Sequence, residues 1–194
     1  MGFENLLGND RLKQNLAESL AKKHISHFYL ISGPEGAGKH TLARLLAAAI
    51  LCRGSRKPCG ACGPCRKVAE DNHPDLITVV DPDHKAVPVK MVRQIRDDVF
   101  IRPNESDYKI YLFPQELGTE GQNALLKILE EPPEYGVFLL LTDVLLEGSQ
   151  IIYVGDDETI HQAFNVVPRE NSCFLPGVMS RKKQIIPMLS ALWG

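Results

Sequence analysis

The chain has 194 residues, enough for one full domain and a small second one built around a real apolar core. Hydrophobic residues make up 44% and charged residues 24%, as in ordinary soluble domains, and the apolar run Val137-Phe138-Leu139-Leu140-Leu141 falls far short of the roughly 20 residues that span a bilayer. With a net charge of −2 and a start, Met1-Gly2-Phe3-Glu4, that is no signal peptide, the sequence predicts a cytoplasmic protein with no membrane partner, and nucleic acid would have to be met through a local patch or a partner.

Residues 9–24 carry Leu12, Leu16 and Leu20 at i, i+4 and i+8, which predicts an amphipathic helix with Asp10 in its first turn. Residues 27–31 read as a buried strand. It feeds the stretch Gly33-Pro34-Glu35-Gly36-Ala37-Gly38-Lys39-His40-Thr41, and a helix predicted over 39–51 is apolar nearly all round, hence packed between layers. Strand, glycine loop and helix in this order are the context of a Walker A loop, in which small residues let backbone N–H groups wrap a phosphate at the positive end of a helix while the lysine adds a point charge. The candidate nucleotide-binding residues are therefore Gly33, Pro34, Gly36, Gly38, Lys39, His40 and Thr41. The alternative is a glycine-rich turn that only opens a helix. A Ser or Thr hydroxyl should follow the lysine to reach Mg²⁺, but His40 stands there and Thr41 comes one place late. ATP or ADP is expected to bind, and Mg²⁺ to be held poorly.

Four of the five cysteines cluster, Cys52, Cys59, Cys62 and Cys65, in the spacing C-x6-C-x2-C-x2-C; Cys173 stands apart and is expected to be a small buried residue. In a reducing compartment such a cluster reads as a metal site before a disulfide framework. Four thiolates suit tetrahedral Zn²⁺ and leave no position open for water, so a closed structural zinc is expected, with an iron–sulfur cluster or free thiols as the alternatives. Arg56, Lys57 and Arg66 are expected to offset part of its negative charge.

Further along, residues 65–70 read as a short helix, 75–80 as a β-branched strand, and 89–99 as a helix with Val92, Ile95 and Val99 on one face. Residues 108–113 read as a third strand and 119–131 as a helix with Asn123, Leu126 and Glu130 along one side, stopped by Pro132-Pro133; residues 137–142 read as a fourth strand. This alternation predicts an α/β fold: a P-loop parallel sheet flanked by helices on both faces, with an inserted zinc knuckle. The third strand should end in carboxylates that hold Mg²⁺ and polarise water, yet Phe113 is followed by Pro114-Gln115, and Glu116 comes two residues late. Both ends of the metal site depart in the same direction, which favours a P-loop domain that does not hydrolyse.

Four elements in order resemble the bacterial clamp-loader AAA+ subunits of DNA polymerase III: His27-Phe28-Tyr29-Leu30-Ile31-Ser32-Gly33-Pro34, Gly38-Lys39-His40-Thr41, the cysteine knuckle followed by Asn72-His73-Pro74-Asp75, and Asn123-Ala124-Leu125-Leu126-Lys127-Ile128-Leu129-Glu130-Glu131-Pro132-Pro133. The resemblance covers residues 1–143 and is nearer to the delta-prime branch than to the ATP-hydrolysing gamma/tau branch. It implies that the four cysteines, in a module at 52–65, ligate zinc, that the Leu-Glu-Glu-Pro-Pro helix end faces a neighbouring subunit, that the partners are the gamma/tau and delta subunits, and that DNA is met only through the complex.

Beyond Asp143 that pattern stops, before the arginine finger, lid and collar such subunits would carry. Residues 144–194 are expected to form a small α/β tail, with a strand over 150–155 and a helix over 158–164, and Phe174-Leu175-Pro176-Gly177-Val178-Met179-Ser180-Arg181-Lys182-Lys183-Gln184 is similar to the C-terminal end of manganese-dependent family II inorganic pyrophosphatases. That resemblance gives Ser180, Arg181 and Lys182 a possible anion-binding role; the alternative is a solvated basic helix start. No pyrophosphatase activity is expected, because the metal-binding Asp/His domain is missing. The readings of function are a non-hydrolysing replication subunit, a weak ATPase in which Thr41 and Glu116 replace the missing ligands, or a chimera of two fragments without an evolved function.

Overall fold

The structure, a computed structural model, describes residues 3, 6, 10–33, 35–142 and 152–153. In chain order its elements are α1 (Asp10–Ala21), β1 (Phe28–Ser32), α2 (Lys39–Leu51), α3 (Gly63–Ala69), β2 (Leu76–Thr78), α4 (Val89–Asp98), β3 (Lys109–Phe113), α5 (Thr119–Glu130), β4 (Gly136–Thr142) and β5 (Ile152–Tyr153).

The five strands form one sheet in the order β2-β3-β4-β1-β5. The first four are parallel, and β4 enters between β1 and β3. Of the strand expected over 150–155 the described residues are the two of β5, which runs antiparallel to β1 with Tyr29 opposite Tyr153 and Leu30 opposite Ile152. The sheet is therefore mixed. The second strand is half as long as the β-branched run suggested, although the bonding to β3 extends one residue past each end, from Ile110 N–H to the Asp75 carbonyl and from Val79 N–H to the Leu112 carbonyl, both at 2.8 Å.

Side chains alternate across the sheet, and two cores follow. Tyr29, Ile31, Ile110, Leu112, Val137, Leu139 and Leu141 pack with α1 and α2 on one face. Phe28, Leu30, Tyr111, Phe113, Phe138 and Leu140 pack with α4 and α5 on the other. Leu12, Leu16 and Leu20 bury the seam of α1, and Val92, Ile95 and Val99 that of α4 and its C-terminal end, as their spacing predicted. Helix α2 buries every residue from Leu42 to Leu51 except the half-buried Arg44. On α5 the buried side is Gly121, Leu125, Ile128 and Leu129, which leaves Asn123 and Glu130 facing out. Among the described residues no helix is long and apolar enough to cross a membrane.

Candidate functional site

Helix α2 begins at Lys39, and its N-cap is Gly38 in the left-handed region (φ 83°), preceded by Gly36 at φ 78°. Side chains rarely adopt this conformation, so glycine at these two positions lets the loop turn back toward the strand ends. Lys39 is nearly buried and its Nζ donates to the Gly33 carbonyl at 2.7 Å, which bends the lysine over the loop. The Gly33 N–H in turn donates to the Thr142 carbonyl at 3.2 Å, tying the loop to β4.

A cavity of about 590 Å³ opens beside this loop, at the carboxyl ends of β1, β3 and β4. Its size lies within the range of small-ligand pockets, and strand carboxyl ends are where ligands of open α/β sheets bind. Glu35, Gly36, Gly38, Lys39 and His40 line it from the loop; Pro114, Gln115 and Glu116 from the tip of β3; Leu141 and Thr142 from β4; Lys85 from the β2–α4 connection. Thr41 is exposed and does not line the cavity, and Gly33 lies buried behind it. Pro34 falls outside the described residues, as do Cys173, Ser180, Arg181, Lys182 and the helix expected over 158–164.

Gln115 occupies the strand-tip region where a metal-binding carboxylate was sought. Its side chain is spent on the β2–α4 connection: Oε1 accepts the Asp81 N–H at 2.9 Å, and Nε2 donates to the carbonyls of Asp81 (3.2 Å) and His84. Lys85, Leu141 and Thr142 are lining residues that sequence reasoning did not assign to the site. Thr142 had a weak signal as the last residue of an apolar strand. Lys85 had none, since nothing local tells which loop will lie against the cavity.

The second cluster lies at the far end of α2. Cys52 caps that helix, Cys62 caps α3 and Cys65 sits in its first turn. The sulfurs of Cys52, Cys59, Cys62 and Cys65 all lie within 4.8 Å of one another, with Cys52 and Cys62 at 3.9 Å. A tetrahedral ion bound at about 2.3 Å requires sulfur edges of about 3.8 Å, so the donor set fits one. Backbone N–H groups of Gly54 and Cys59 donate to the Cys52 sulfur at 3.3 and 3.4 Å, and that of Cys62 to the Cys59 sulfur at 3.3 Å. The N–H groups of Ala61 and Cys62 pull the Cys59 thiol down to about 6, while burial pushes Cys65 up to about 12. Binding a cation here would displace the remaining thiol protons. Gly54 was not anticipated: a Cβ there would sit 2.9 Å from Cys59 Cβ.

Two attachments hold this module to the body. Arg44 of α2 donates to the last carbonyls of α3, Val68 (2.8 Å) and Ala69 (3.2 Å), and pairs with Asp71 at 2.7 Å. Glu105 takes Lys67 on its carboxylate at 2.5 and 2.6 Å and Arg53 on its carbonyl.

The model of the family described as DNA polymerase III, delta subunit, matches residues 8–147. The chain belongs to that family. Among curated relatives of this DNA polymerase III family member, the subunit tau of Bacillus subtilis is 35% identical over 144 residues, covering 72% of this chain and 25% of its own. The subunit gamma/tau of Mycobacterium tuberculosis is 34% identical over 171 residues, covering 86% of this chain and 29% of its own. The chain thus spans under a third of the length of these relatives. A DNA polymerase III gamma subunit-related protein from Thermotoga maritima aligns in its crystal structure with a TM-score of 0.46 at 21% identity, covering 76% of this chain and 43% of that one. The model of a second family, described as the DHHA2 domain, matches residues 112–192, so the two matches overlap over residues 112–147.

Proposed function

We propose that this chain acts in DNA replication as a delta-prime-like module of a DNA polymerase III clamp loader, a cytoplasmic subunit that holds ATP or ADP without efficient hydrolysis. Membership of the family supports the complex. The observation that carries the absence of hydrolysis is the Gln115 amide, which is neutral and already bonded to Asp81 and His84, at the strand tip where Mg²⁺ would need a carboxylate. Zn²⁺ held by Cys52, Cys59, Cys62 and Cys65 is the structural metal of this reading, and it would supply a closed cross-link between the end of α2 and the start of α3. Nucleotide would be held by Gly36, Gly38, Lys39 and His40 around the cavity, with Gly33 and Thr41 supporting the loop. The partners would be gamma/tau and delta subunits, with DNA met through the assembly.

Isothermal titration of ATP and ADP into zinc-loaded protein, alongside Lys39→Ala, tests the site. Micromolar binding, about −8 kcal/mol, that disappears in the variant is expected. Equal binding by both proteins, or none by either, removes the nucleotide reading. Failure to co-elute with a clamp-loader core in size-exclusion chromatography removes the assembly reading.

The weak-ATPase reading keeps half its basis: Glu116 lines the cavity whereas Thr41 does not. Phosphate release that vanishes in Lys39→Ala would revive it. The tail is read as a fragment similar to a family II pyrophosphatase C-terminus, with Ser180, Arg181 and Lys182 as a possible anion-binding turn and no pyrophosphatase activity.

A further inference from the structure

Resting on the reading of the cavity as a nucleotide site, we propose that Lys85 is a phosphate-binding residue that supplies the positive charge a carboxylate-held Mg²⁺ would otherwise bring, so that this site takes nucleotide without metal. Bound di- and triphosphates need their negative charge neutralised, and a metal ion held by a strand-tip carboxylate and a loop hydroxyl is one way to do it. Here the hydroxyl position after Lys39 is His40, and the strand tip carries Gln115. The chain answers with a second ammonium. Lys85 lines the same cavity as Lys39, from a different loop.

That loop is held in place by the residue that replaces the carboxylate. Gln115 bonds to the backbone of Asp81 on both its N–H and its carbonyl, and to the carbonyl of His84, the residue before Lys85. The Asp81 carboxylate ties the loop further, accepting the Asp83 N–H at 2.9 Å and meeting His84 Nδ1 at 2.9 Å. Val87 closes the segment, pairing with Leu117 and donating to the Glu116 carbonyl at 2.8 Å. Lys85 therefore projects from an anchored turn. A glutamate at 115 would lose the amide donors that hold the turn, so the exchange of carboxylate for amide both removes a metal ligand and positions a cation. Glu35 and Glu116 line the same cavity, so a bound anion needs both lysines to offset their negative charge.

The test is titration of ATP into the zinc-loaded full chain in Mg²⁺-free buffer without chelator and in millimolar Mg²⁺, for wild type, Lys85→Ala, Lys85→Arg and Lys39→Ala. Wild type is expected to bind within about threefold in the two buffers. Lys85→Ala should weaken binding about tenfold without Mg²⁺, or 1.4 kcal/mol, and Lys85→Arg should keep most of it. Lys85→Gln is a second neutral variant should Lys85→Ala melt early. Unchanged binding by the neutral variants without Mg²⁺, with Lys39→Ala defective, overturns the role of Lys85 alone. Wild-type binding that requires Mg²⁺ overturns the metal-free site. Wild type that binds no ATP in either buffer, or Lys39→Ala that binds like wild type, overturns the nucleotide site itself and this inference with it.

Discussion

Asp75, with no exposed surface, accepts the backbone N–H of Asn104 at 2.5 Å, 29 residues away in the chain. The same carboxylate takes the N–H groups of Glu105 (2.8 Å) and Ser106 (2.9 Å), and the Asn104 side-chain amide at 3.3 Å. Through Glu105 this turn carries Arg53 and Lys67 of the cysteine module. His73, also buried, accepts the Asp75 N–H at 3.1 Å and fixes the approach to β2.

Asp75→Ala should leave the N–H groups of Asn104, Glu105 and Ser106 without their carboxylate acceptor and cost about 1–3 kcal/mol, read as a lowered midpoint in urea unfolding. A change under 1 kcal/mol would show that water replaces the carboxylate.

Stability should fall on acidification. Burial raises the Asp75 pKa, but the backbone N–H groups of Asn104, Glu105 and Ser106 outweigh it and hold the carboxyl below the usual range. Asp98 is likewise low, because Lys109 and then Tyr111 bond to it against its own burial. With folded-state values below the unfolded ones, the unfolded chain binds more protons in that window, so these contributions are complete above about pH 4 and vanish as pH falls through the folded-state values. Thermal unfolding between pH 7 and 3 checks this; the acid limb of Asp75→Asn should be flatter than that of wild type.

Tyr111→Phe should cost about 1.5–3 kcal/mol, since the Tyr111 hydroxyl donates to the Asp98 carboxylate at 2.7 Å and the ring stacks on Phe138 at 5.3 Å, a contact phenylalanine keeps. Wild-type stability in chemical unfolding would assign the work of holding Asp98 to Lys109 alone, whose Nζ lies 2.9 Å away.

Gly54→Ala should loosen the proposed zinc centre, because its methyl would meet Cys59 Cβ at 2.9 Å and Sγ at 3.0 Å. A metal affinity lower by about 10–100-fold is expected, measured by competition with a chromogenic chelator. In wild type, removal of the metal by chelation should lower the melting temperature, as for any closed structural site. A melting temperature indifferent to chelator would count against a structural metal.

Gly38→Ala should cost about 1–2 kcal/mol and weaken ATP binding. Open space surrounds the position, so the penalty comes from its φ of 83° alone. Gly63→Ala, where φ is ordinary and space equally open, is the control that should leave both readouts unchanged.

What the sequence determined by itself was local. The bounds Lys39–Leu51 of α2 follow from a continuous apolar surface and a glycine in front of it, the seams of α1 and α4 from the 3.6-residue period, and the cysteine cluster from a spacing so short that four thiols must meet. The tertiary structure decided the rest. The continuous apolar run says that β4 is buried on both faces but not that β4 lies between β1 and β3, nor that β5 runs against β1. The role of Gln115 depends on a loop 31–34 residues before it, and that of Asp75 on a turn 29–31 residues after it. A single amide or carboxylate gives no periodic signal, and its partners are chosen only when sheet order brings distant loops to the same strand end.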